Sequence, residues 1–323
     1  MVSIPSASSL QGRNFLQIGD LSDDELQQIF SIAAELKRLK PNDQLPLLRG
    51  KTIVMLFEKP SLRTRVSFET GMTQLGGHAI FAQGGDFLLG QRESVEDAAR
   101  TLSRYADAIV IRTHDHEPLE RFAAAATVPT INALSAVSHP CQALADLLTI
   151  KERFGNLNGL RIAFVGDARN NVARSLTEGA VMCGMSVTFG CPPTHRPSES
   201  WMGSLNALGR PQKAAVRAIT SPQRAVREAD VVYTDVWTSM GEEAFSERNS
   251  AALIPYRVDA ALMRHASPQA IFMHCLPAHR GEEVTDEVID GLASVVFDQA
   301  ENRLHAQKAL LLAMLSDLRG VLK

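Results

Sequence analysis

Ser61-Leu62-Arg63-Thr64-Arg65 stands where an apolar run ends and a helical period begins, with Phe68, Met72 and Leu75 on one face of that helix. Ser61 is a favoured N-cap, so the first-turn N–H groups of Leu62, Arg63 and Thr64 would point at whatever precedes the helix, where the dipole favours negative charge. Arg63 and Arg65 add guanidinium groups that match phosphate oxygens two at a time. Together these make an oxyanion cradle; the same residues also make an ordinary capped helix with solvated arginines.

Four further stretches carry candidate chemistry. In Ser138-His139-Pro140-Cys141-Gln142, Pro140 suits the first turn of a helix, which places His139 and Gln142 one turn apart as donors to a carbonyl or amide oxygen. A histidine satisfied within the structure fits the same pattern. Gly166-Asp167-Ala168-Arg169-Asn170-Asn171 invites a dinucleotide reading and fails it, because Ala168 and Asn171 occupy positions where a pyrophosphate needs glycine. Its two amides suit a small zwitterion or a simple polar turn. Asp235-Val236-Trp237-Thr238-Ser239-Met240-Gly241 offers an ammonium group a carboxylate, and His274-Cys275-Leu276-Pro277-Ala278 brings a thiol to a strand end. A loop-capping aspartate and a buried inert cysteine are the plainer alternatives. The clusters His114-Asp115-His116 and His274, Cys275 and His279 lack a recognised ligand spacing, so no metal is expected.

These groups need a scaffold, and the pattern around them is α/β: short β-branched runs, each followed by a helical period. Strands are predicted at Thr52–Phe57, Ala108–Ile111, Thr130–Asn132, Leu160–Val165, Ser186–Phe189, Val231–Asp235, Ala270–His274 and Ser294–Phe297. Helices are predicted near Leu26–Leu39, Ser61–Leu75, Glu93–Tyr105, Pro118–Ala126, Gln142–Phe154, Asn171–Met182, Pro222–Ala229, Asp259–His265, Thr285–Ile289 and Glu301–Val321. Val95, Ala98, Ala99, Leu102 and Tyr105 form one apolar stripe and are assigned to the core. The last helix must bury Leu311, Met314, Leu315 and Leu318.

The chain has 323 residues, enough for two domains, and Gly155 to Gly159 reads as the junction. A net charge of −3 argues against a nucleic-acid or anionic-lipid partner. No run approaches the roughly 18 apolar residues of a bilayer span. Met1 to Gln11 lacks the basic head and apolar run of a secretory signal, so a cytoplasmic protein is expected. Four cysteines without a C-x-x-C pair imply reduced thiols.

Taken in order, the stretches resemble the transcarbamylase family in its ornithine-using branch. Phe57 to Arg65 is similar to F-E-K-x-S-T-R-T-R, Ser138 to Gln142 to H-P-x-Q, Asp235 to Gly241 to D-x-W-x-S-M-G, and His274 to Ala278 to H-C-L-P-A. The similarity runs from about Phe15 to the final helix. It implies two doubly wound α/β domains, each with a mainly parallel sheet flanked by helices. Residues 1–154 would bind carbamoyl phosphate, with 304–323 packing back on them, and 155–303 would bind ornithine. By motif matching, Ser61, Leu62 (through its amide), Arg63, Thr64, Arg112, His139, Gln142, Cys275, Leu276 and Arg303 hold carbamoyl phosphate, Cys275 and Leu276 lining the reacting centre, and Asn171, Asp235, Ser239 and Met240 hold ornithine. Cys275, Asp235, His139 and Arg112 are the implied catalytic groups. Also implied are carbamoyl transfer to ornithine within arginine biosynthesis, a homotrimer, and no cofactor. The chain departs from the pattern at Leu62, where a threonine is usual, and at Leu88, where many relatives place a glutamine.

Overall fold

The computed structural model describes residues 10–39, 46–84, 89–209, 211, 213–238 and 251–316. Its contacts divide the chain into two units: one runs to Leu148 and resumes at Glu301, and the other is Thr149–Ala300.

In the first unit, β1 (Thr52–Phe57), β2 (His78–Gln83), β3 (Ala108–Arg112) and β4 (Thr130–Leu134) form a parallel sheet in the order β2-β1-β3-β4. Every residue of β3, and all of β1 but Thr52, is buried, as an apolar run covered on both faces must be. The flanking helices are α1 (Asp23–Arg38), α2 (Leu62–Gln74), α3 (Val95–Leu102), α4 (His116–Ala125) and the first half of α5 (Pro140–Phe154). Phe68, Met72 and Leu75 are buried, and Val95, Ala98 and Ala99 pack with Val54, Leu56, Ile109, Ile111 and Phe122. Tyr105, expected in that stripe, is 72% exposed, because α3 stops at Leu102 and the turn beyond it faces out.

The closing helix, Val296–Leu315, begins five residues before the sequence suggested. Ser294–Phe297 is accordingly not a strand. Only Ser294 bridges Phe272 before the helix takes over, so the β-branched Val295-Val296 pair serves as a helix entry. From Ala309 to Met314 the closing helix is buried on every side. Leu318 lies outside the described residues.

In the second unit, β5 (Arg161–Val165), β6 (Ser186–Gly190), β7 (Val216–Ile219), β8 (Val231–Thr234) and β9 (Ile271–His274) are parallel in the order β7-β6-β5-β8-β9. Helix α6 (Asn171–Met182) follows β5. The core joins Ala163, Val165, Val232, Phe272, Val284 and Val296. Phe164 stacks on Tyr233 with ring centroids 5.4 Å apart and meets Phe189 edge-on at 6.1 Å.

In both sheets the chain winds first to one side and then to the other, so the loops leaving β1 and β3, and those leaving β5 and β8, diverge at a switch point. That is where ligands collect in open parallel sheets. Gly166 opens the second of these crevices at φ +125°, and a Cβ there would crowd Thr234 Oγ1 at 3.4 Å. Phe164→Ala should leave a cavity between β6 and β8 and cost about 3–5 kcal/mol. A urea titration of the second unit's aromatic signals should show a lower midpoint.

Candidate active site

At the first switch point, β1 runs out through Glu58 and α2 starts after Ser61, whose Oγ accepts the Thr64 N–H at 3.4 Å. Thr64 is buried, and its Oγ1 accepts from Arg303 Nη2 at 2.9 Å. The other arm of Arg303 donates to Gln142 Oε1 at 2.7 Å, and Gln142 Nε2 donates to the fully buried Asp146 at 2.8 Å. One guanidinium thus ties the first turn of α2 to the first turn of α5. Sequence placed Arg303 at the start of its helix; it lies two turns inside, where it can reach both. His139 directly precedes Pro140, the first residue of α5, and Arg112 ends β3; both side chains are buried. Burial, and then the charges of Arg303 and Arg112, hold the His139 imidazole well below its usual range, so the ring is neutral at pH 7.

The remaining cradle residues differ in their commitment. Leu62 is 75% exposed, leaving its backbone N–H as its contribution, and Arg63 is half-buried. Arg65 does not extend the cradle as its position in sequence suggested: it pairs with Glu69 at 2.9 Å and lies 3.9 Å over the Phe81 ring. Glu58, given no role from sequence, clamps the crevice by accepting from the Thr113 hydroxyl, His114 N at 3.3 Å and Leu89 N at 3.1 Å. Leu88 lies outside the described residues. Cys141 is removed from chemistry, since its thiol donates to Asn132 O at 3.4 Å and burial pushes it up to about 12.

At the second switch point, Asp235 follows β8 with 8% exposure. Its Oδ1 accepts from Val236 N at 2.8 Å and from the Cys275 thiol at 3.0 Å, and its Oδ2 accepts from Asn170 Nδ2 at 3.3 Å. Burial raises the Asp235 carboxyl above its usual range, against the hydrogen bonds from the Cys275 thiol and the Val236 amide. Sequence offered both amides of this loop, and the family resemblance assigned Asn171 to ornithine. The side chain that meets Asp235 is Asn170, the N-cap of α6, while Asn171 is the first helical residue and half-buried. The missed signal is the Asx residue immediately before a helical period.

Behind Cys275, Leu276 takes a left-handed φ of +57°, a conformation that costs about 1–3 kcal/mol in a branched residue. Its N–H donates to His274 Nδ1 at 2.9 Å, and His274 Nε2 meets the buried Glu283 at 3.2 Å. Ligand atoms of Asp235, His274 and Cys275 lie within 4.8 Å of one another. A metal there would take the His274 lone pair that now holds the Leu276 amide, so the donor set fits its present bonds better than an ion. Ser239 and Met240 lie outside the described residues.

The charges at the first switch point give a pH dependence. As pH falls below about 6.5 the unfolded chain protonates His139 and the folded one does not, so stability is lost on that side and is unaffected above it. Imidazole nitrogen shifts should therefore show His139 neutral through pH 6.5. In Arg303→Met its titration should move upward without reaching the ordinary histidine value, because burial, the largest cause, remains.

Comparison with known proteins places these two sites in context. Residues 13–152 match the family described as aspartate/ornithine carbamoyltransferase, carbamoyl-P binding domain, and residues 158–314 match its Asp/Orn binding domain. The chain is 49% identical over 305 residues to the ornithine carbamoyltransferase of Methanoculleus marisnigri, covering 94% of this chain and 97% of that one. It is 48% identical over 308 residues to that of Bacillus subtilis, covering 95% of each. The solved ornithine carbamoyltransferase from Pyrococcus furiosus superposes with a TM-score of 0.92 at 46% identity, over 97% of this chain and 99% of that one. With both family domains matched in order and the parallel sheets shared, the chain belongs to the aspartate/ornithine carbamoyltransferase family, among its ornithine carbamoyltransferases.

Proposed function

We propose that the chain transfers the carbamoyl group of carbamoyl phosphate to the side-chain amine of L-ornithine, giving L-citrulline and phosphate. The observation that carries this reading is the buried group of Arg112, Arg303 and a neutral His139 beside the N-termini of α2 and α5. It combines two fixed positive charges with a donor that adds none, which suits a small phosphorylated carbonyl compound.

In this reading the amides of Leu62, Arg63 and Thr64, the Ser61 hydroxyl and the Arg63 guanidinium take the phosphate. Arg112, His139 and the Thr64 hydroxyl face the carbonyl oxygen, with Gln142 and Arg303 completing the set. Asn171, Asp235, Ser239 and Met240 bind ornithine, and Cys275 and Leu276 line the reacting centre. Ornithine's amine starts as an ammonium with a pKa near that of lysine, about 10.4, so it must first release a proton to solvent as it binds before it can attack. Asp235 and the Cys275 thiol orient it. Its nitrogen then bonds to the carbonyl carbon, and negative charge on the oxygen of the tetrahedral intermediate is met by Arg112 and His139. The carbon–oxygen bond to phosphate breaks, and the departing phosphate accepts the amine's proton. No covalent enzyme intermediate, metal or cofactor enters this scheme. The protein acts as a cytoplasmic homotrimer in arginine biosynthesis, with no nucleic-acid or membrane partner.

Purified protein supplied with carbamoyl phosphate should form citrulline from ornithine and no carbamoylated product from putrescine; the reverse would overturn the choice of amine. Cys275→Ala should lower kcat about tenfold to a hundredfold, the effect of losing one hydrogen bond to a charged group. Full turnover by that variant would remove the thiol from the mechanism.

A further inference from the structure

We propose that Asn170 is a positioning residue for Asp235: a single carboxamide caps helix α6 and sets the carboxylate that receives the substrate amine. This rests on the reading of Asp235 given above. The side chain has two unlike ends, and both are committed. Its Oδ1 accepts the Ala173 N–H at 2.7 Å, which turns the NH2 group away from the helix and onto Asp235 Oδ2 at 3.3 Å. Capping alone does not call for asparagine, because aspartate and serine cap as well. Donation to the carboxylate does: aspartate has no donor, and serine is too short to span both partners.

The loop that carries Asn170 is itself tethered. Arg169 holds Asp167 through Nε at 3.0 Å and Nη2 at 2.8 Å, and Ala168 N donates to His195 O at 3.2 Å. Asn170 therefore arrives at Asp235 from a braced loop, opposite the Val236 amide and the Cys275 thiol on Oδ1. The carboxylate is gripped at both oxygens, so its plane is set before an amine arrives. The other titratable groups facing it are His274, whose Nδ1 accepts the Leu276 amide, and Glu283, whose charge opposes the ionised carboxylate.

The test compares Asn170→Ser, Asn170→Asp and Asp235→Asn with the parent enzyme, measuring ornithine kinetics against pH at saturating carbamoyl phosphate, carbamoyl phosphate affinity and thermal midpoint. Both Asn170 variants keep a capping oxygen, so the midpoint should hold. Asn170→Ser should lose about tenfold in kcat/KM for ornithine, the effect of one hydrogen bond to a charged group, and shift the acid limb of the profile to higher pH. Asn170→Asp should shift that limb further, by setting carboxylate against carboxylate. Carbamoyl phosphate affinity should be unchanged. Parent-like kinetics and acid limb in both variants would overturn the proposal, as would a matching loss of carbamoyl phosphate affinity, which marks a merely structural role. Should Asp235→Asn turn over ornithine like the parent, the assignment of Asp235 itself falls, a failure distinct from one confined to Asn170.

Discussion

Much of the first unit is arranged around one buried cation, the guanidinium of Arg303, which joins two helix starts. Arg303 is 3% exposed and spends its two terminal nitrogens on neutral oxygens, those of Thr64 and Gln142. Withdrawing a guanidinium from water costs several kcal/mol in desolvation, which its hydrogen bonds offset only in part. Neighbouring groups intensify the imbalance, since Arg112 is also buried and His139 is kept neutral partly by both arginines. In the proposed reading this positive group faces the anionic substrate. Electrostatic stabilisation of this kind is supplied by groups already in place, so little rearrangement is needed when charge develops on a substrate.

The second unit meets the opposite demand by the same topological means. Its crevice also opens at a switch point, but the group placed there is a buried carboxylate with a thiol and an amide on its oxygens. One crevice is therefore cationic and the other carries a carboxylate, although both are built from a strand end, a short loop and a capped helix. Differences of one or two residues in those loops decide the chemistry. At Leu62 the side chain is exposed, and what the residue offers a helix N-terminus is its backbone N–H.

Strands β1, β3, β5 and β8 could be recognised in sequence because burial on both faces requires unbroken apolar runs. Strands β2 and β7 could not, being sheet edges with mixed sequences, His78–Gln83 and Val216–Ile219, that are only partly covered. Local preference misled at Ser294–Phe297, where a β-branched run enters a helix, and at Arg65, whose neighbours Glu69 and Phe81 draw it aside. The helix starts after Ser61 and at Pro140, and the strand ends before Asp235 and Cys275, were legible because cap chemistry and apolar runs mark them. Asn170 was not, since two adjacent amides look alike until the helix start decides which one faces the carboxylate.

The link between Thr64 and Arg303 spans 239 positions of the chain. A ribosome making this protein has released Ser61, Thr64, Arg112, His139 and Gln142 long before the closing helix exists. A nascent chain that has reached only Ala300 therefore lacks the guanidinium that joins the two helix starts, and its anion pocket is unfinished. Closure must wait for the final helix, a non-local contact whose loop entropy is met only at the end.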